Sequence, residues 1–96
     1  MLCDFCSLPA PAWRYPATSF HDMFGGRSVA DWLACEDCHA LIEAGNLAGL
    51  VRRALHENAD GRIRAMADQQ WAIDYTRDLY RGFWRARRGT AHQLSA

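Results

Sequence analysis

Cys35-Glu36-Asp37-Cys38-His39-Ala40-Leu41-Ile42-Glu43-Ala44-Gly45-Asn46 is the stretch that decides the fold of this chain. Two residues separate its cysteines, the spacing at which a tight turn aims both sulfurs at one metal ion. Leu41 and Ile42 follow as inward positions and Gly45 supplies a stop, so residues 36–44 read as a helix opened by the cysteine pair. Thiolates suit that position, because N–H groups and the positive dipole end of a helix stabilise negative charge. Upstream, Cys3-Asp4-Phe5-Cys6 repeats the spacing, and the two pairs hold all four cysteines. Together they complete the tetrahedron that Zn²⁺ prefers, with Zn–S distances of about 2.3 Å. One structural Zn²⁺ on Cys3, Cys6, Cys35 and Cys38 is therefore expected.

Competing uses of the cysteines are weaker. A disulfide in each knuckle would suit a redox protein, but a thioredoxin-like βαβ setting is missing. Iron is another metal that four thiolates accept. His39 directly follows a ligand, yet four cysteines fill the shell without it, so it reads as a neighbour of the site or a surface residue. Asp4, Glu36 and Asp37 would add charge to an anionic centre, which predicts that they face solvent.

Outward from the knuckles, Pro9, Pro11 and Pro16 favour extended chain, with Trp13, Tyr15 and Phe20 as cover for the core. Gly25-Gly26 predicts a turn between arms at Tyr15–Phe20 and Ser28–Leu33, although Ser28-x-x-Asp31 also fits a helix-starting capping box. Asn46 is placed to cap a helix whose Leu47, Leu50, Val51, Ala54 and Leu55 follow 3/4 spacing. Asn58 and Gly61 mark a break, and Asp60 is placed to cap a last helix running to Arg88, before Gly89. The reading is one domain over 1–96: a zinc module at 1–45, a helical part at 46–88 and a frayed tail at 89–96. The class is α+β, mostly α, with a short β-hairpin and two or three helices, the last long and amphipathic.

A knuckle near the amino terminus, a hairpin, and a second knuckle leading into a helix together resemble a treble-clef zinc finger. Trp32, Cys35, Cys38, His39, Leu41, Ile42, Glu43, Gly45 and Asn46 look like the Trp-x-x-Cys-x-x-Cys-His and Leu-Ile-Glu-x-Gly-Asn segments of small bacterial and phage Cys₄ zinc proteins. The resemblance covers roughly residues 1–55. It implies the fold and the metal and carries no activity with it.

Composition narrows the classes. Half of the residues are hydrophobic, which excludes a disordered chain, and 96 residues are few enough that a metal would contribute materially to folding. All 11 basic residues are arginine, and with 16 alanines this hints at a GC-rich bacterial or phage source. The zero net charge conceals an asymmetry: residues 1–48 carry 2 arginines against 6 acids, whereas residues 49–96 carry 9 against 5. No apolar run approaches the ~18–20 residues of a membrane span, and the first residues lack the basic and apolar regions of a secretory signal, so none is expected. Reduced cysteines then predict the cytoplasm.

Catalytic patterns are missing. A catalytic zinc keeps a position open for water, which four cysteines would close. His21, His39, His56 and His92 are scattered, without the histidine-rich second site of a His-Asn-His nuclease. The His-x-Glu of a deaminase is absent, and His56-Glu57 lacks the second histidine of a His-Glu-x-x-His helix. The expectation is a non-enzymatic adaptor or regulator.

The last helix carries the candidate contacts. Asp60–Arg88 would span about 43 Å at ~1.5 Å per residue, longer than a small core can cover. Gln69, Ala72, Ile73, Thr76, Leu79, Tyr80, Phe83 and Trp84 form one stripe, and Ile63, Ala67, Trp71 and Tyr75 a second ridge. Asp60–Arg64, Asp74–Arg77 and Asp78–Arg81 have the spacing of helical ion pairs. Trp71, Tyr75, Tyr80, Phe83 and Trp84 have the composition of a protein-binding hot spot, for another protein or a second copy, as well as of a core. The alternative is nucleic-acid contact through Arg81, Arg85, Arg87 and Arg88. Cations at a helix C-terminus also complement its dipole, and a pI near 6.9 disfavours strong non-specific binding.

Overall fold

The turn at the glycine pair is organised by one carboxylate. Asp22 accepts hydrogen bonds from the backbone N–H of Phe24 and Gly26, and Gly25 takes the left-handed conformation (φ +82°) that only glycine adopts without strain. The computed structural model describes residues 1–94, and in it this turn joins β2 (Phe20–His21) to β3 (Arg27–Ser28). Further from the turn, β1 (Trp13–Tyr15) pairs antiparallel with β4 (Trp32–Ala34), Tyr15 opposite Trp32. The arms expected at Tyr15–Phe20 and Ser28–Leu33 thus exist as two short ladders, not one. Residues 16–19 face the shorter 29–31, and Pro16 has no amide to donate, so the pairing is interrupted there. The capping-box alternative fails: Ser28 lies in β3 and accepts from Trp32 Nε1, while Asp31 pairs with Arg14 at 2.7 Å.

The helices begin directly after β4. α1 (Glu36–Glu43) ends at Gly45, whose φ of +68° lets the N–H groups of residues 45 and 46 return to the carbonyls of Ile42 and Leu41. Asn46 caps α2 (Leu47–His56) by accepting the Gly49 N–H at 2.9 Å, and Leu50, Val51, Ala54 and Leu55 are buried. The continuous helix expected over Asp60–Arg88 is corrected. Asp60 caps only the single turn α3 (Gly61–Arg64), and the chain turns through residues 65–69 before α4 (Gln70–Ala86). A straight rod of about 43 Å would overrun a molecule whose longest extent is 35 Å. The break lets Ala67 enter the core beside α2 while α4 turns back over it. It also removes the ridge drawn through Ile63, Ala67, Trp71 and Tyr75, and Asp60 pairs with Arg62 instead of Arg64.

Residues 92 and 93, within the stretch expected to fray, form a strand. β5 (His92–Gln93) pairs with β1 and completes a three-stranded antiparallel sheet in the order β4-β1-β5. Ser95 and Ala96, the rest of the expected tail, lie outside the described residues.

The core is aromatic and centred on the first knuckle. Phe5, between two cysteines, meets Trp32, Tyr80 and Phe83 with ring centroids 5.0–5.2 Å apart. Tyr80 donates its hydroxyl to the Phe5 carbonyl at 3.2 Å, which bonds α4 directly to the knuckle.

Candidate metal centre

Four sulfurs converge where these elements meet. Cys3 and Cys6 come from the first knuckle, whose N–H of Cys3 bonds the Leu8 carbonyl and whose Ser7 adopts φ +64° to close the turn. Cys35 is the N-cap residue of α1 and Cys38 lies in its first turn. All four cysteines are buried and unbridged, and their sulfurs lie within 4.8 Å of one another. Cys6 and Cys35 stand 3.6 Å apart. Ligands at ~2.3 Å around one tetrahedral ion stand about 3.8 Å from each other, so the cluster has the dimensions of a Cys₄ shell. It can hold a metal ion such as zinc.

The electrostatics of the bare cluster show what a cation would relieve. The Cys3 thiol is drawn down to about 4, chiefly by a hydrogen bond from Cys38. Cys38 is pushed far up by that same bond and by burial. Burial also pushes Cys6 up to about 11. Crowded thiols share protons because adjacent anions repel. A divalent ion takes the place of those protons.

Arg53 on α2 was not singled out in the sequence, and it is the cation of the site. Its Nη2 lies 3.8 Å from Cys35 Sγ and 4.0 Å from Cys6 Sγ, and it pairs with Asp37 at 3.4 Å and Glu57 at 3.1 Å. One signal pointed to it: position 53 follows the buried Leu50 by three residues, on the flank of the apolar ridge of α2.

The acids inside the knuckles stand at the surface as expected, yet each holds a partner. Asp4 accepts from the Leu33 N–H at 2.7 Å and locks the first knuckle to β4. Glu36 accepts from Trp13 Nε1, and Asp37 faces Arg53. His39 is outside the sulfur cluster. Its ring stacks on Trp13 at 3.9 Å, and its Nδ1 lies 2.7 Å from the Tyr15 hydroxyl, which donates to Glu43. Burial first and the Glu43 carboxylate second push the Tyr15 phenol up, so it remains protonated.

The candidate contact residues separate into two groups. Tyr80 and Phe83 are buried and belong to the core, so the expectation that they meet a partner is corrected. Trp84 is half-buried against Phe83. Trp71 is 54% exposed. Tyr75 stacks on the exposed Phe24 at 5.2 Å and donates to Asp22, which extends the Trp71 end of α4 onto the β2–β3 turn. Of the arginines, Arg81, Arg85 and Arg88 are exposed. Arg87 is not available in the same way: it lies over the Tyr15 ring and pairs with Glu43 at 3.5 Å.

Among the described residues no helix is long and apolar enough to cross a membrane. Comparisons with family models, with curated proteins and with solved structures return no match to this chain.

Proposed function

We propose that this chain is a zinc finger of treble-clef type, a cytoplasmic bacterial or phage adaptor without catalytic activity, in which one Zn²⁺ holds the fold and an exposed aromatic surface engages a protein. The observation that carries the reading is the closed set of four buried sulfurs within 4.8 Å. A shell of four thiolates leaves no position for a water nucleophile, which favours a structural role over a catalytic one. The contact surface we assign is Met23, Phe24 and Trp71, each more than half exposed, with Tyr75, four residues on from Trp71 in α4, stacked on Phe24. Exposed aromatic groups of this kind supply the anchors of interfaces.

A second reading is favoured by Arg81, Arg85 and Arg88, which are exposed and have no carboxylate partner among the described residues. They suit contact with a nucleic-acid backbone. Metal analysis tests the first part: purified protein contains about one equivalent of Zn²⁺, and Cys6→Ser or Cys38→Ser loses it. Folded, reduced, metal-free protein would refute the site. Partner capture with Phe24→Ala and Trp71→Ala tests the second part, since both variants keep their zinc and lose the partner. Binding to generic DNA or RNA that weakens steeply with salt would instead assign the function to the arginines.

A further inference from the structure

We propose that Arg53 is a positioning residue of the metal centre: its guanidinium holds the Cys6 and Cys35 thiolates in place and closes the centre toward the groove between α1 and α2. The inference rests on the reading of the cluster as a zinc site and adds a residue outside the four ligands.

The argument begins with the cost of placing a cation there. The Arg53 side chain is only 13% exposed, and its Nε is buried without a hydrogen-bond partner. Burying a guanidinium with an unsatisfied N–H is unfavourable unless anions face it. Asp37 and Glu57 face it from outside, but their side chains are 76% and 64% exposed, where ion pairs contribute little. The anions on the inner side are the sulfurs, at 3.8 and 4.0 Å. Neutral thiols at the two sulfurs it touches would not compensate this burial. Four thiolates around Zn²⁺ carry a net charge of about −2, which does. Charge-assisted bonds to ligand atoms also orient them, the usual role of groups just outside a metal shell.

Position adds the second half. A groove of about 670 Å³ opens between α1 and α2, lined by Asp37, Leu41, Asn46, Arg53, His56 and Glu57. Arg53 is the one residue of that lining bonded to two sulfurs, so it separates the thiolates from the groove. The Asp37–Arg53–Glu57 chain of ion pairs ties this closure to both helices.

The experiment is competition for zinc between the purified full-length protein and a chromophoric chelator, with the Co²⁺-substituted protein as a spectroscopic check. Arg53→Met keeps the apolar stem and removes the charge. It binds zinc about 10–100-fold more weakly than the native chain and shifts the thiolate-to-Co²⁺ charge-transfer bands. Arg53→Lys falls between, because a point charge cannot bond both sulfurs and both carboxylates at once. Zinc affinity within twofold of native in Arg53→Met, with unmoved Co²⁺ bands, would overturn the inference and leave the zinc site standing. A native chain that takes up no metal refutes the site itself and this inference with it. Should Arg53→Met fail to fold at saturating zinc, Arg53→Lys and Arg53→Gln decide: affinity at least fivefold lower in the neutral amide supports the role, and equal affinity overturns it.

Discussion

A methyl group at position 82 would stand 2.6 Å from the Phe20 ring, which rests on α4 where Gly82 leaves room for it. Two effects of Gly82→Ala oppose each other. Alanine gains up to ~1 kcal/mol in a helix interior over glycine. Against that, overpacking costs about 1–3 kcal/mol when a packed ring has to move. Phe20 is also stacked on Trp32 at 6.1 Å, so its displacement reaches the core. The second effect wins. Gly82→Ala lowers the melting temperature, by about 4–8 °C for each net kcal/mol in a domain of this size. A thermal melt at or above native would show that Phe20 swings aside freely. At this scale the sequence was legible for the sulfur cluster and not for the aromatic residues. Cys3, Cys6, Cys35 and Cys38 announce themselves by spacing. Tyr80, Phe83 and Trp71 share one helix and one chemistry, and only the tertiary path buries the first two and exposes the third. Arg53 was hidden for a related reason: an arginine beside an apolar ridge looks like any solvated residue until α1 places sulfurs in front of it.

At the scale of elements, the joint between α2 and α3 carries more than its two-residue signal suggested. Asn58 is buried, donates from Nδ2 to the Ala54 carbonyl at 2.8 Å and accepts the Asp60 N–H at 2.9 Å. Its own carbonyl receives Arg64 at 2.6 Å, and the neighbouring Ala59 N–H bonds Cys6 O. The end of α2, the start of α3 and the first knuckle are thus fastened at two adjacent residues, Asn58 and Ala59. Asn58→Ala leaves a buried carbonyl and a half-buried N–H without these partners. It destabilises the protein by about 1–3 kcal/mol, chiefly for the buried carbonyl left unsatisfied. Chemical denaturation of the zinc-loaded variant measures this, and a loss below ~0.5 kcal/mol would show that water or a backbone shift restores both bonds. The break at Asn58 and the caps at Asn46 and Asp60 were readable because each depends on a few adjacent residues. The interruption at 65–69 and the strand β5 were not. Apolar spacing ran through the first, and two residues of strand carry no periodicity; both depend on what the rest of the chain has already built.

For the whole molecule, the metal centre is not a separable amino-terminal ornament. Phe5 lies between Cys3 and Cys6 and is the ring that Trp32, Tyr80 and Phe83 surround, while Arg53 carries α2 to the sulfurs. On the proposed zinc reading, loss of the ion would loosen β4, α2 and α4 together, and a chelator should melt helical signal along with the knuckles. The pH dependence follows from the thiols. In the metal-free fold Cys3 ionises near 4, whereas Cys6, near 11, and Cys38, higher still, retain their protons at neutral pH. Metal binding near neutrality thus expels at least the two protons of Cys6 and Cys38. Mass action then strengthens binding as pH rises and weakens it as pH falls, about 100-fold per pH unit for two protons. For stability the reference is the unfolded chain, whose four thiols are protonated below their ordinary value of ~8.5, so up to four protons are taken up on unfolding and the slope at fixed free zinc is as much as about 5.4 kcal/mol per pH unit. The sign is that of groups ionised only in the metal-bound fold: the contribution is largest above ~8.5 and is lost progressively as the pH falls below it. Melting curves of the zinc-loaded protein at buffered free zinc, from about pH 8 to about pH 5, should fall steeply, while chelated samples lack that slope. Equal pH dependence with and without zinc would mean that the thiols are not the groups linking metal to fold.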